Sequence, residues 1–300
     1  MASLNNQNQI AQEHHLGTAN FGQSYGLTRS ESGLSEKVIA EIFEFLDLTQ
    51  NIHIDTSPDY GSAELIIGKL GKSRKFMERI TTKIPQRTYS DAHLMKQSVV
   101  NSLKHLGIDE FETVLLHGLS EDFEKNLSAI ERGLVEILDN GLARSVGLSC
   151  YSETEVEKAK NFLPVLTVFQ VPENAVDQRI LNSSKLLELI NSENKIFVRS
   201  IFLQGKLLQV DDQLTGIFDS LKPVVSDLRR AARNVDLEPL EYCLAYAKSI
   251  PWSSGITFGV QSKNELISIF TALHREYPPI EFNNLKVDTN MIDPRNWTSR

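Results

Sequence analysis

The sequence predicts a single-domain (β/α)8 barrel, and three observations carry that prediction. Short apolar runs rich in β-branched residues alternate with amphipathic segments along the chain. That is the pattern of parallel strands joined by right-handed helical crossovers. Eight such units fit a chain of 300 residues, near the roughly 250 typical of the barrel. The rival α/β architecture, a doubly wound open sheet, normally carries G-x-G-x-x-G after its first strand. The glycines available there, Gly17, Gly22 and Gly26, have a different spacing.

The first strand is read at residues 16–18. A helix over 34–48 begins near Ser35 and carries Val38, Ile39, Ile42, Phe43, Phe45 and Leu46 at helical spacing. Strands follow at 52–55 and 80–84, then a helix at 94–106 and a strand at 113–117. A helix at 127–138 ends at Asn140-Gly141, a C-cap signal. Strands at 145–149, 165–171 and 196–201 are short, β-branched and bounded by polar or turn residues. A last strand at 255–259 completes eight. Residues 1–13 read as a flexible N-terminal segment and 14–300 as the barrel; no Gly/Ser or Pro-rich linker divides them.

Composition narrows the class. The net charge is −8, so the chain has no electrostatic reason to seek nucleic acid or an anionic membrane surface. No apolar run approaches the roughly eighteen residues of a membrane span. The polar, Asn- and Gln-rich start lacks a secretory signal, which predicts a cytoplasmic protein. Cys150 and Cys243 have no metal-like spacing, and no metal site is expected. Nothing in the composition sets an oligomeric state.

In a barrel, chemistry sits at the C-terminal ends of the strands and in the loops after them. There the sequence places Asp55, Tyr60, Lys83, His117, Ser149, Gln170 and Arg199. Asp55, Lys83 and His117 are each embedded in an otherwise apolar run, where a lone ionisable group is costly to bury. Converging on one barrel mouth, they can partner one another. An Asp–Lys pair beside a tyrosine would favour the phenolate. Each residue has a plainer reading: Asp55 as an Asx-turn residue, Lys83 as a rim charge, His117 as a hydrogen-bonded core histidine and Arg199 in a structural ion pair.

The conjunction, in order on successive strands, carries a resemblance. Ile54-Asp55-Thr56-Ser57-Pro58-Asp59-Tyr60-Gly61 resembles the Asp-Thr-Ala-x-x-Tyr-Gly signature of the aldo-keto reductases. Thr82-Lys83 and Leu116-His117 match the family's lysine and histidine stations. Gly17-Thr18, Ser62-Ala63-Glu64 through Gly68, Gly147-Leu148-Ser149, Gln170 to Asn174 and Gln204-Gly205 add matches from about residue 14 to about 270.

The resemblance implies a (β/α)8 barrel that binds a nicotinamide dinucleotide and moves a hydride between it and an aldehyde or ketone. It implies Tyr60 as general acid, Lys83 beside it, Asp55 holding the lysine, and His117 on the substrate carbonyl. It implies Ser149 and Gln170 on the nicotinamide carboxamide, with Gly17, Thr18 and Gly205 also at the cofactor. Gly259, Gln261, Ser262 and Glu265 fall where the family grips the adenosine end, with Ser262 and Lys263 as donors at a helix N-terminus.

Departures from the pattern bear on these roles. Cys150 stands where the family commonly has Asn. Arg199 replaces a tyrosine that stacks on the nicotinamide; its guanidinium can also stack or bind an anion. Family habit favours NADP(H), while Glu265 admits NAD(H), because a carboxylate repels a 2′-phosphate and accepts from a ribose hydroxyl. The motifs at 17–26, 198–205 and 292–297 resemble a bacterial branch that accompanies surface-polysaccharide enzymes. That implies a sugar or nucleotide-sugar carbonyl as the small-molecule substrate. Two rival readings remain: a cofactor-binding sensor or regulatory subunit with little turnover, and an aldolase using Lys83 as a Schiff-base amine.

Overall fold

The computed structural model describes residues 13–26, 33–49, 52–181, 183, 194–282 and 287–297. Most of the predicted N-terminal segment, residues 1–12, and part of the loop at 21–32 lie outside them. The strands are β1 (Glu13–Gly17), β2 (Ile52–Asp55), β3 (Ile80–Ile84), β4 (Phe111–His117), β5 (Ala143–Ser149), β6 (Val168–Pro172), β7 (Lys195–Arg199) and β8 (Gly255–Phe258). Each pairs in parallel with the next, and β8 pairs with β1, so the sheet closes into the expected barrel. Every strand predicted from the sequence is present, with ends displaced by up to three residues.

The helices begin where local chemistry lets them. In α1 (Glu36–Leu46), Ser35 caps by accepting the amide of Val38, and Ile39, Ile42, Phe43 and Leu46 form the buried stripe. Helix α2 (Ala63–Gly71) follows the tyrosine loop. Asp91 caps α3 (Ala92–Leu106), which ends at the left-handed Gly107. In α4 (Leu127–Asp139), Ile130, Leu134 and Ile137 face the sheet, and the helix stops at Asn140 as its sequence predicts. Ser152 caps α5 (Glu153–Phe162). Helix α6 (Lys222–Asn234) leads to α7 (Pro239–Ser249), which opens on a Glu238–Glu241 capping box. Ser262 caps α8 (Lys263–His274) by accepting the amide of Glu265. Among the described residues no helix is long and apolar enough to cross a membrane.

Two hydrophobic clusters divide the interior. The larger lies between the sheet and its helices, and a small one of Leu115, Val168 and Phe197 lies within the barrel. His15 of β1 shares this inner layer: its ring centre is 4.2 Å from that of Phe197 and 5.3 Å from that of His53. Among the described residues, neither nitrogen of His15 has a hydrogen-bond partner. Burial holds it neutral, far below the usual imidazole value. Glu13, His15 and His53 bring ligand-type atoms within 4.8 Å of one another. The His15 and His53 planes are nearly parallel, at 11°, so their in-plane lone pairs do not converge on one ion.

Strand register sets the polar strand ends beside one another. Gly17 lies beside Asp55, and His117, Ser149, Gln170 and Phe197 form a continuous row across β4 to β7. Alternation then turns Asp55, Lys83, His117, Ser149 and Gln170 toward the barrel mouth and their apolar neighbours toward the helices.

Candidate active site

A cavity of about 1040 Å³, open mouth included, sits over the C-terminal ends of the strands. Asp55, Tyr60, Lys83 and His117 all line it. The fold thus brings together side chains spread over three strands and one loop.

At its floor Lys83 Nζ forms an ion pair with Asp55 Oδ1 and donates to the carbonyl of Thr56 at 3.1 Å. Both side chains are almost wholly buried. Gln170 Nε2 donates to the other carboxylate oxygen of Asp55 at 2.5 Å. A buried charge pair holds when its remaining valences are met in this way. Lys83 Nζ stands 5.0 Å from the centre of the Tyr60 ring.

Tyr60 is delivered by a tight turn. Its amide donates to the carbonyl of Ser57, and its carbonyl accepts from Ala63. Gly22 presses on this turn: a Cβ there would lie 2.2 Å from the amide of Ala63 and 2.4 Å from the carbonyl of Tyr60. A side chain at position 22 would therefore displace the tyrosine. Burial raises the Tyr60 phenol well above the tyrosine norm, and the Asp55 charge adds to this. The expectation that the Asp–Lys pair favours the phenolate is not met. Burial outweighs the nearby lysine in the resting site, so the phenol keeps its proton.

His117 ends β4 and half-faces the cavity. Its ring lies edge-on to Tyr60 with centres 6.0 Å apart. Its Nδ1 is 3.2 Å from Asp59 Oδ2 and 3.4 Å from Ser57 Oγ. Asp59 Oδ1 meets Arg87 NH1. The Nδ1 hydrogen bond of His117, with help from Arg87, holds Asp59 below the usual carboxylate range.

Gly17, Ser149, Gln170, Arg199, Gly205, Gly259, Gln261 and Glu265 also line the cavity. Thr18 does not: it is fully buried, and its Oγ1 donates to the carbonyl of Asp55 at 3.0 Å, tying β1 to β2. Ser262 is occupied as the cap of α8. Lys263 pairs with Glu44 at 3.2 Å, away from the cavity lining. Cys150 is fully buried and donates its thiol to the carbonyl of Gln170 at 3.5 Å. Burial pushes its thiol up to about 12, so no thiolate faces the cleft.

Arg199 lies over the Tyr151 ring at 4.2 Å, and Arg295 of the C-terminal tail lies at 4.0 Å from the same ring. Arg199 NH2 donates to the carbonyl of Cys150 at 2.7 Å, while its buried Nε has no partner among the described residues. No carboxylate pairs with Arg199 among the described residues, which leaves the structural ion pair without support. The backbone beside it is strained: Ser200, Leu203 and Gln204 all have positive φ.

Sequence reasoning missed Tyr151, Tyr25 and Asn20 as cavity residues. Tyr151 directly follows the Gly-Leu-Ser-Cys strand end, which was its available signal. Asn20 donates to the carbonyl of Val260 at 2.8 Å and joins the loops after β1 and β8.

The family model described as "Aldo/keto reductase family" matches residues 15–287. The chain belongs to the aldo/keto reductase family. Aldo-keto reductases are oxidoreductases that use nicotinamide cofactors on small carbonyl substrates. No functionally curated protein gives a significant sequence match. Among solved structures, the chain is similar to an aldo-keto reductase from Bacillus halodurans in its holo form. The two share 17% identity and a TM-score of 0.73, over 89% of this chain and 88% of that one. It is also similar to a glycerol dehydrogenase from Gluconobacter oxydans, at 15% identity and a TM-score of 0.69 over 89% and 87%. A thermostable aldo-keto reductase solved with the inhibitor epalrestat gives 19% identity and a TM-score of 0.68 over 94% and 93%. At these identities the likeness is one of fold. Asp55, Tyr60, Lys83 and His117 of this chain share one cavity.

Proposed function

We propose that this protein reduces an aldehyde or ketone to the alcohol, with Tyr60 as the proton donor. The observation that carries this reading is the convergence of Asp55, Tyr60, Lys83 and His117 on one cavity. A nicotinamide cofactor, when bound, supplies the hydride.

The residues fit such a cofactor. Gly17, Gly205 and Gly259 present bare backbone to the cavity, Ser149 and Gln170 offer polar groups at its floor, and Arg199 brings an unpartnered buried Nε. Tyr60, kept protonated by burial, gives its proton to the oxygen of the carbonyl carbon that receives the hydride. Lys83 beside the ring then offsets the phenolate charge. Asp55 and the Thr56 carbonyl fix the lysine, and His117 orients the substrate oxygen.

Local charge at the adenosine end favours NAD(H) over the NADP(H) expected from family habit. Glu265 lines the cavity and accepts the amide of Gln261 at 2.6 Å. Among the described residues it has no cationic partner, while Lys263 is engaged by Glu44. A carboxylate there suits ribose hydroxyls and opposes a phosphate. The branch resemblance supports a sugar or nucleotide-sugar carbonyl as substrate.

The test is oxidation of NADH and NADPH by the purified protein against aldehydes, keto acids and keto-sugars. Reduction of at least one class is expected. Tight cofactor binding with no turnover across the panel would overturn the reductase reading in favour of a sensor.

A further inference from the structure

The motif residue before the tyrosine faces the histidine. Asp59 lies in the loop after β2, His117 ends β4, and Arg87 follows β3 in a short 3-10 turn. Three elements therefore meet at one carboxylate. Oδ1 takes Arg87, and Oδ2 stands 3.2 Å from His117 Nδ1. Ser57 Oγ accepts the amide of Asp59 at 3.1 Å and fixes the aspartate in the turn.

An ionised carboxylate only accepts hydrogen bonds. Nδ1 of His117 must therefore carry the proton in this contact. A neutral imidazole has one N–H, which leaves Nε2 as a bare lone pair. Such a nitrogen accepts from an alcohol but cannot donate to a carbonyl oxygen. It donates only when the ring carries a second proton. The charged groups around the ring are Asp59, Arg87 beside it and Lys83 behind Tyr60. Asp55 is spent on Lys83, and Tyr60 stays protonated through the neutral range.

We propose that Asp59 is a positioning residue that holds the His117 proton on Nδ1, so that His117 donates a hydrogen bond to a substrate carbonyl only as imidazolium and as the neutral ring only accepts one. The proposal rests on the reductase reading for its kinetic consequence, but its structural half stands without turnover. Reduction should then fall, and alcohol oxidation rise, as the pH increases.

The test uses the full chain with ¹⁵N-labelled histidine, with His117→Gln assigning the signal. In the wild type at high pH, the nitrogen shifts should show the proton on Nδ1. In Asp59→Asn the amide can donate to Nδ1, and the Nε2–H form should appear. Asp59→Glu should restore the Nδ1 proton. Wild-type tautomer retained in Asp59→Asn would overturn the proposal. Asp59 is a partly exposed loop residue, and Arg87→Ala tests the same carboxylate from its other side. That variant should keep the Nδ1 proton; its loss would also overturn the proposal. Where the protein turns over, the fall in reduction with pH should flatten in Asp59→Asn. An unchanged profile counts against the proposal even if Tyr60→Phe is inactive and the reductase reading stands. The expected tautomers without turnover on any carbonyl would sink the reductase reading alone.

Discussion

Gln170 donates its side-chain amide to Asp55 Oδ2, the carboxylate oxygen that Lys83 does not hold. The resemblance assigns this glutamine to the cofactor carboxamide; its observed partner is the buried ion pair beneath the tyrosine. Gln170→Leu leaves a buried carboxylate oxygen unmet. It should lower unfolding stability by about 1.5–3 kcal/mol, measured by urea denaturation. It should also lower kcat, because Asp55 then holds Lys83 less firmly.

Tyr60→Phe removes a hydroxyl that acts chiefly in the transition state. Reduction should fall by roughly 10²-fold or more. Cofactor affinity, read by fluorescence titration, should change little. Retention of most activity would remove Tyr60 from the role of acid.

Glu265 should set the cofactor ratio. Glu265→Gln keeps the shape and removes the charge that opposes a 2′-phosphate. NADPH affinity should rise by about tenfold relative to NADH. Equal Kd ratios in the variant and the wild type would relieve Glu265 of that role.

His15 should make the fold acid-sensitive. Burial lowers His14 to about 4, His15 well below its usual value, and His53 in the same direction. The unfolded chain takes up protons near pH 6.5 that the folded protein refuses. Stability from these residues is therefore full above that value and lost as pH falls through it. His15→Leu should remove part of the loss and, with two unpartnered nitrogens gone, gain on the order of 1 kcal/mol near neutrality. Thermal unfolding at several pH values reads both effects.

Glu173 should act in the opposite direction. It is fully buried, accepts the Tyr246 hydroxyl at 2.5 Å and the amides of Ile180 and Leu181 at 3.1 Å, and burial pushes it up to about 8. The folded protein keeps a proton that the unfolded chain releases near pH 4.3. Stability is full below that pH and declines as pH rises toward about 8. Glu173→Gln should flatten the decline, which amounts to a few kcal/mol. A wild-type slope retained in the variant would assign the effect to another group.

Much of the site was legible along the chain because its residues break local rules. Asp55, Lys83 and His117 are polar groups at the ends of apolar strands, where burial without partners is costly. The eight strands were legible for the converse reason: their residues obey the alternation of buried β runs and amphipathic helices. Tyr151, the paired arginines on its ring and the Gln170–Asp55 bond were not legible. They join residues distant in sequence whose local patterns are ordinary.

The sequence by itself determined the barrel, its strand order and the four side chains at its mouth, because hydrophobic period and strand ends are local properties. Tertiary structure alone decided what each of those side chains meets. It gave Asp55 a second partner in Gln170, left His15 with none, took Lys263 out of the cavity and left Glu265 in it, and set Asp59 against His117. Those outcomes depend on strand register and loop packing, which fix distances across the barrel that no spacing along the chain contains.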